Sequence, residues 1–232
     1  MLYTAAAAAC IPLGGLLGRI ERLRPRWMEN ELRHFVIAFG GGVLLAAVAL
    51  LLLPEGIEYL RSPAAVLGAF LGGGLAFMWL ERRLAARRQS SPQFLAMLLD
   101  YVPESLALGG AFAAGSEAAP LLAVLVGVQN LPEGFNAFRE RLAAPGARPG
   151  RLLAHMCLLV PIGPLLAAAG WLFLADRLET VGAVMLFASG GILYLIFQDI
   201  APQAQLRNHW FPPLGAVSGF ALGLLGVLWT GS

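Results

Sequence analysis

Charge is scarce in this chain: 13% of its 232 residues are charged, about half the share of a soluble domain. Another 58% are apolar before its 28 Gly are counted, which excludes a soluble globular protein. Lysine is missing, since every one of the 16 basic residues is Arg, and they are nearly balanced by 14 acidic residues to a net charge of +2. No basic block interleaves with aromatics, so a nucleic-acid surface is excluded as well. Cysteine is limited to Cys10 and Cys157, both in apolar stretches and without CxxC spacing. There is no disulfide framework, and both thiols read as small buried hydrophobes.

What is present in quantity is the long apolar run. A hydrocarbon core of about 30 Å takes roughly 20 residues per helix, so the length holds about eight spans with short connections and no second, soluble domain. Apolar runs bounded by charge or by Pro/Gly clusters place helices near 3–20, 35–53, 63–80, 94–114, 118–138, 152–174, 180–200 and 212–230. The first run, Met1 to Gly18, has no basic residue ahead of it, and its first cation, Arg19, follows the apolar stretch. It reads as a retained span rather than a signal peptide.

The arginines orient these spans. With the N-terminus outside, the inner side receives Arg19, Arg22, Arg24, Arg26, Arg33, Arg82, Arg83, Arg87, Arg88, Arg139, Arg141, Arg148, Arg151 and Arg207, and the outer side keeps only Arg61 and Arg177. Fourteen against two is the asymmetry of a positive-inside protein with both termini outside the cytoplasm. The expectation is therefore an all-α polytopic membrane protein, residues 1–232 forming one transmembrane domain of eight helices, placed in a bacterial inner membrane as a multi-pass cell-membrane protein. Trp27, Trp79, Trp171, Trp210 and Trp229 fall near the span boundaries, as an aromatic belt requires. His34, His155 and His209 sit at inner helix ends and form no ligand-spaced cluster.

Ionisable residues inside spans are costly and face the bundle interior, which makes them the functional candidates. The fourth span contains Asp100-Tyr101-Val102-Pro103-Glu104 and the fifth contains Gln129-Asn130-Leu131-Pro132-Glu133. In each, an oxygen-bearing side chain and a glutamate stand at i and i+4 with a proline just before the glutamate, so the pair shares one helix face. The prolines free the carbonyls of Leu99 and Val128, which in hydrocarbon requires a cavity or a polar partner. Asp100, Glu104 and Glu133 would repel one another if ionised together, and a divalent cation shared with Gln129 resolves the conflict. Pro54-Glu55 reads as a helix-end feature or an acidic entrance, and Gln198-Asp199 beside Pro202 as a solvated helix end or exit-path ligands.

At the two proline motifs the sequence resembles the ZIP (Zrt-, Irt-like) family of divalent-metal transporters. Asp100-x-x-Pro103-Glu104 matches that family's fourth-span His-x-x-Pro-Glu-Gly, and Gln129-Asn130-x-Pro132-Glu133-Gly134 its fifth-span motif. Ala38 to Glu58 reads like its second span, Gly182 to Ala204 like its seventh, and eight spans with both termini outside match its topology. The resemblance implies a principal metal site of Asp100, Glu104, Gln129 and Glu133, a secondary ligand at Asn130, and an inner exit-path pair at Gln198 and Asp199. It implies transport of a divalent transition metal into the cytoplasm: zinc first, then iron, manganese or cadmium as cargo, with no resident cofactor and no enzymatic activity. The partners are the lipid bilayer, the ion and, where the chain pairs with itself, a homodimer, with no nucleic acid.

Departures from the family pattern bear on selectivity. Asp100 replaces the usual His, Tyr101 an Asn, Ser105 a Gly, and Val160 before Pro161 a metal-binding Glu, leaving one site rich in oxygen rather than two. Two alternatives stand beside transport. One is a degenerate member that binds or senses metal. The other is an intramembrane aspartyl protease using Asp100 and Asp199, which lacks a Gly-x-Gly-Asp context.

The orientation is directly testable. In a background without Cys10 and Cys157, single cysteines at Ser90 and at Ser232 should react with a membrane-impermeant thiol reagent from opposite sides of the membrane. Labelling from one side refutes the topology.

Overall fold

The computed structural model describes the backbone of residues 1–20, 26–85, 92–174, 176–206 and 209–231, and within these not the side chains of 20, 26–30, 84, 85, 92–96 and 100. Among the described residues all regular structure is helical, gathered into eight rods. Helix α1 is Leu2–Ile20, and α2 joins Arg26–Ala46 to Leu53–Leu60 through a wide-turned segment, Ala47–Leu52. Helices α3, α4 and α5 are Pro63–Ala85, Pro92–Ala113 and Ala119–Leu142. Helix α6 is Pro149–Leu159 plus Ile162–Leu174, and α7 is Leu178–Leu195 carried through a wide turn, Ile196–Ile200, into Ala201–Ala204. Leu214–Thr230 is α8.

Among the described residues five stretches are long and apolar enough to cross a membrane: Leu2–Arg19, Glu31–Leu60, Pro63–Arg83, Pro149–Leu174 and Leu178–Ala204. The chain is thus a helical protein fitted to a bilayer by several of its segments. The 30-residue stretch in α2 would extend about 45 Å, more than the hydrocarbon thickness, so it must tilt or project from the membrane.

The second rod runs past its expected limit at residue 53 because Pro54 does not end it. Leu53 N–H bonds to the Val48 carbonyl five residues back, and Ala201 N–H likewise bonds to Ile196. Each residue immediately precedes a proline, Pro54 or Pro202. A proline ring crowds the carbonyl four residues before it, and the wider π turn makes room without breaking the rod. The sixth rod solves the same problem differently: it begins at Pro149 and breaks at Val160–Pro161, where Val160 N–H turns to the Cys157 carbonyl at 3.2 Å.

The rods associate in pairs: α1 with α5, α2 with α8, α3 with α7, and α4 with α6. In each pair a glycine lies against the partner's backbone, and the partner answers with a glycine of its own. Gly14 faces the Leu131 carbonyl and Gly134 that of Ile11, while Gly73 faces Phe187 and Gly190 faces Phe70. Gly42 meets Ala216 and Gly219 meets Phe39, and Gly109 meets Ala167 while Gly170 meets Leu106. Small residues let helix backbones touch, which is where dispersion contact in lipid comes from.

Between the pairs lies a core that includes Leu44, Leu52, Leu108, Leu125, Met185 and Ile192, all nearly fully buried, drawn from α2, α4, α5 and α7. By contrast α3 turns Leu67, Leu71, Leu75 and Trp79 outward. Cys157, expected to be buried, lies exposed on α6, and Cys10 is half-buried. The reason is that the lipid-facing surface is as apolar as the interior, so an apolar neighbourhood in sequence does not tell the two apart.

A paired substitution isolates the backbone contact. Gly42→Val places a side chain against the Ala216 backbone, whereas a Cβ at Gly72 meets nothing within 4 Å. Gly42→Val should lose about 1–3 kcal/mol and lower Tm in detergent, and Gly72→Val should not.

Candidate functional site

Two neighbouring helices, α4 and α5, pack against each other and carry the polar groups. Glu104 lies near the middle of α4 and is 2% exposed, and Gln129 lies near the middle of α5 and is fully buried. The Gln129 Nε2 donates to both Glu104 oxygens, Oε1 and Oε2, at 2.7 Å each. One amide nitrogen therefore sits at the fork of the carboxylate, the position at which a cation would bridge both oxygens. The amide oxygen of Gln129 is buried and has no hydrogen-bond partner among the described residues. Rotating the amide by half a turn would exchange nitrogen for oxygen at that fork, converting a donor into a ligand.

Asp100 belongs to α4 one turn before Glu104, and its side chain lies outside the described residues, as do Arg22, Arg24, Arg87, Arg88 and Arg207, which the arginine asymmetry of the sequence assigns to the inner side. Glu133 is one turn beyond Gln129 on α5, half-buried, and opens onto a recess of about 50 Å³. That recess is also lined by Asn136, Asp199 and Gln203. A water occupies about 30 Å³ in the liquid, so the space suits an ion or one or two waters.

The pair Gln198-Asp199 is divided. Asp199 is half-buried and lines the recess, while Gln198 is exposed on the other side of the wide turn. Adjacent residues on a helix do not share a face, so a two-residue motif supplies one inward group. Glu81 and Glu140 lie close enough to repel a charge on Asp199, and Tyr194 donates its hydroxyl to Glu81, tying α7 to α3 at this end.

Asn136 and Gln203 were not among the residues singled out from sequence, yet a signal for them exists. Gln129, Glu133, Asn136 and Glu140 fall at i, i+4, i+7 and i+11, a polar stripe along one face of α5, and Gln203 follows Asp199 by four. Asn136 is 5% exposed and its Oδ1 has no hydrogen-bond partner among the described residues.

Other candidates serve the scaffold. Asn130 is buried and its Nδ2 donates to the Ala7 carbonyl at 2.9 Å, fastening α5 to α1. Tyr101, buried on α4, donates its hydroxyl to the Leu159 carbonyl at 3.2 Å, at the break in α6. A Cβ at Gly163 would collide with that hydroxyl, so the tyrosine fills the space the break opens. At the opposite end of the bundle Glu55 accepts a hydrogen bond from Ser116 in the α4–α5 connection, which closes α2 against that connection.

Among the described residues no three His, Cys, Asp or Glu side chains converge closely enough to hold a metal. The described part of the candidate set mixes amides with carboxylates. No protein-family model matches the sequence, and no curated protein matches it.

Tyr101→Phe removes the partner of the Leu159 carbonyl without changing the packed volume. It should destabilise the protein by about 1 kcal/mol in thermal melts in detergent. An unchanged melt would show that the break in α6 does not depend on the hydroxyl.

Proposed function

We infer that the protein is a ZIP-like transporter that carries a divalent transition metal inward across the cell membrane through eight spans, both termini outside. The observation that carries this reading is the buried Glu104 whose two oxygens are bridged by a single Gln129 nitrogen. A carboxylate in hydrocarbon needs a counter-charge, and an amide nitrogen is the weaker substitute for one. In the loaded state Glu104, the rotated Gln129 amide and Asp100 hold the ion, and Glu133 takes it one turn further along α5. The recess of Glu133, Asn136 and Asp199 then leads toward the Arg-rich end.

The donor set also frames selectivity. Zinc is the principal cargo on the family resemblance, whereas an oxygen-only site with Asp100 in place of imidazole favours harder ions such as manganese or ferrous iron. Asn130 is engaged with α1 and Val160 brings no ligand, so one ion is held at a time. The protein acts as a carrier and not as an enzyme.

Uptake by purified protein in liposomes, across zinc, cadmium, iron, manganese and cobalt, tests this reading. Glu104→Ala and Glu133→Ala should each abolish uptake while leaving helical content and monodispersity intact. Asp100→His should raise zinc and cadmium uptake relative to manganese. Full uptake in both alanine variants would overturn the assignment.

A further inference from the structure

A groove of about 820 Å³ is bounded by α1, α2 and α5, and the proposed ion path does not use it. Its walls include Ala6 and Leu17 of α1, Val36 of α2, and Val124, Val128 and Phe135 of α5. From Tyr3 to Leu17 the lining follows α1 for fourteen residues, about 21 Å at the helical rise. That is a slot of acyl-chain length.

One cation interrupts this apolar lining. Arg33, near the Arg-rich end of α2, lines the groove, and its Nε is buried without a hydrogen-bond partner among the described residues. No acidic side chain lines the groove among the described residues. A buried N–H at membrane depth has to be satisfied, and a guanidinium is best satisfied by a carboxylate or phosphate held through two parallel hydrogen bonds. With no acceptor for this N–H among the described residues, a ligand that satisfies it brings its own anion together with an apolar tail.

We propose that this groove is a binding site for one anionic glycerophospholipid, with an acyl chain lying along α1 between α2 and α5 and its phosphate on Arg33. Charge complementarity sets the preference: a lipid with net negative charge pairs with the Arg33 guanidinium, whereas a zwitterionic lipid brings its own cation to the same place. The site also touches the ion path from behind. Pro132, the proline inside α5, lines both the groove and the recess of Glu133 and Asp199, so a chain in the groove supports that turn of α5 from the groove side. This assignment rests on the membrane setting of the helices and is independent of metal transport.

Native mass spectrometry of the full-length protein, delipidated in mild detergent and titrated with phosphatidylglycerol or phosphatidylcholine of identical chains, tests it. The wild type should retain one phosphatidylglycerol about tenfold more strongly than phosphatidylcholine, the worth of one charge-assisted pair. Arg33→Gln should remove that preference and Arg33→Lys should keep most of it. Val128→Trp, which fills the slot and leaves the cation, should weaken retention of both lipids. Equal retention of the two lipids by the wild type overturns the proposal without need of any variant. So does an Arg33→Gln protein that still selects phosphatidylglycerol, or a Val128→Trp protein that retains both lipids as the wild type does.

Discussion

A helix in lipid gains almost no hydrophobic free energy by exchanging acyl chains for another helix, so its partner has to be held by close contact. In this protein that contact is backbone against backbone, at glycines answered by glycines in four helix pairs. Everything else is placed by it. Gly14 and Gly134 seat α1 on α5, and that places the Ala7 carbonyl where Asn130 can reach it. Gly109 and Gly170 seat α4 on α6, bringing Tyr101 to the broken turn at Leu159. The polar centre therefore sits between units whose geometry is set by the absence of side chains.

Proline is the second organising element, and its effect differs by context. Pro54 and Pro202 each follow a wide turn and leave their rods continuous, while Pro161 breaks α6 outright. Pro103 and Pro132 lie inside regular helix beside the buried Glu104 and Gln129. Gly40 of α2 is opposite Pro132, with only 3.1 Å between a notional Cβ and the ring. The proline-bearing turn is thus confined by a helix of another pair, and motion of α5 relative to α2 would have to pass this contact.

The polar groups then divide into two levels along α5. Glu104 with Gln129 forms a buried knot, and Glu133 with Asn136, Asp199 and Gln203 lines a small recess toward the end that carries most of the arginines. A polar stripe at i, i+4, i+7 and i+11 on a single helix connects the levels, and the repeat of the α-helix keeps the four side chains on one face.

Much of this was legible in the amino-acid order. The number of helices and their approximate positions followed from the apolar runs, five stretches among the described residues being long and apolar enough to cross a bilayer, and the Pro-Glu motifs marked the two helices that meet through Glu104 and Gln129. Other features needed the tertiary structure. Apolar composition did not place Cys157 on the outside of α6, since lipid and interior select the same residue types. The motif Gln198-Asp199 gave no sign of which residue turns inward, because that depends on the wide turn before Pro202 and on what α7 packs against. Asn130 and Glu133, three residues apart on one helix, went to different neighbours: one to the α1 backbone, the other to the α7 recess. Sequence determined which helices form and where polarity is concentrated, because both follow from local chemistry and the thickness of a bilayer. The pairing of glycine faces decided which polar atoms meet, because that contact joins residues as far apart as Ala7 and Asn130 and leaves no local signature.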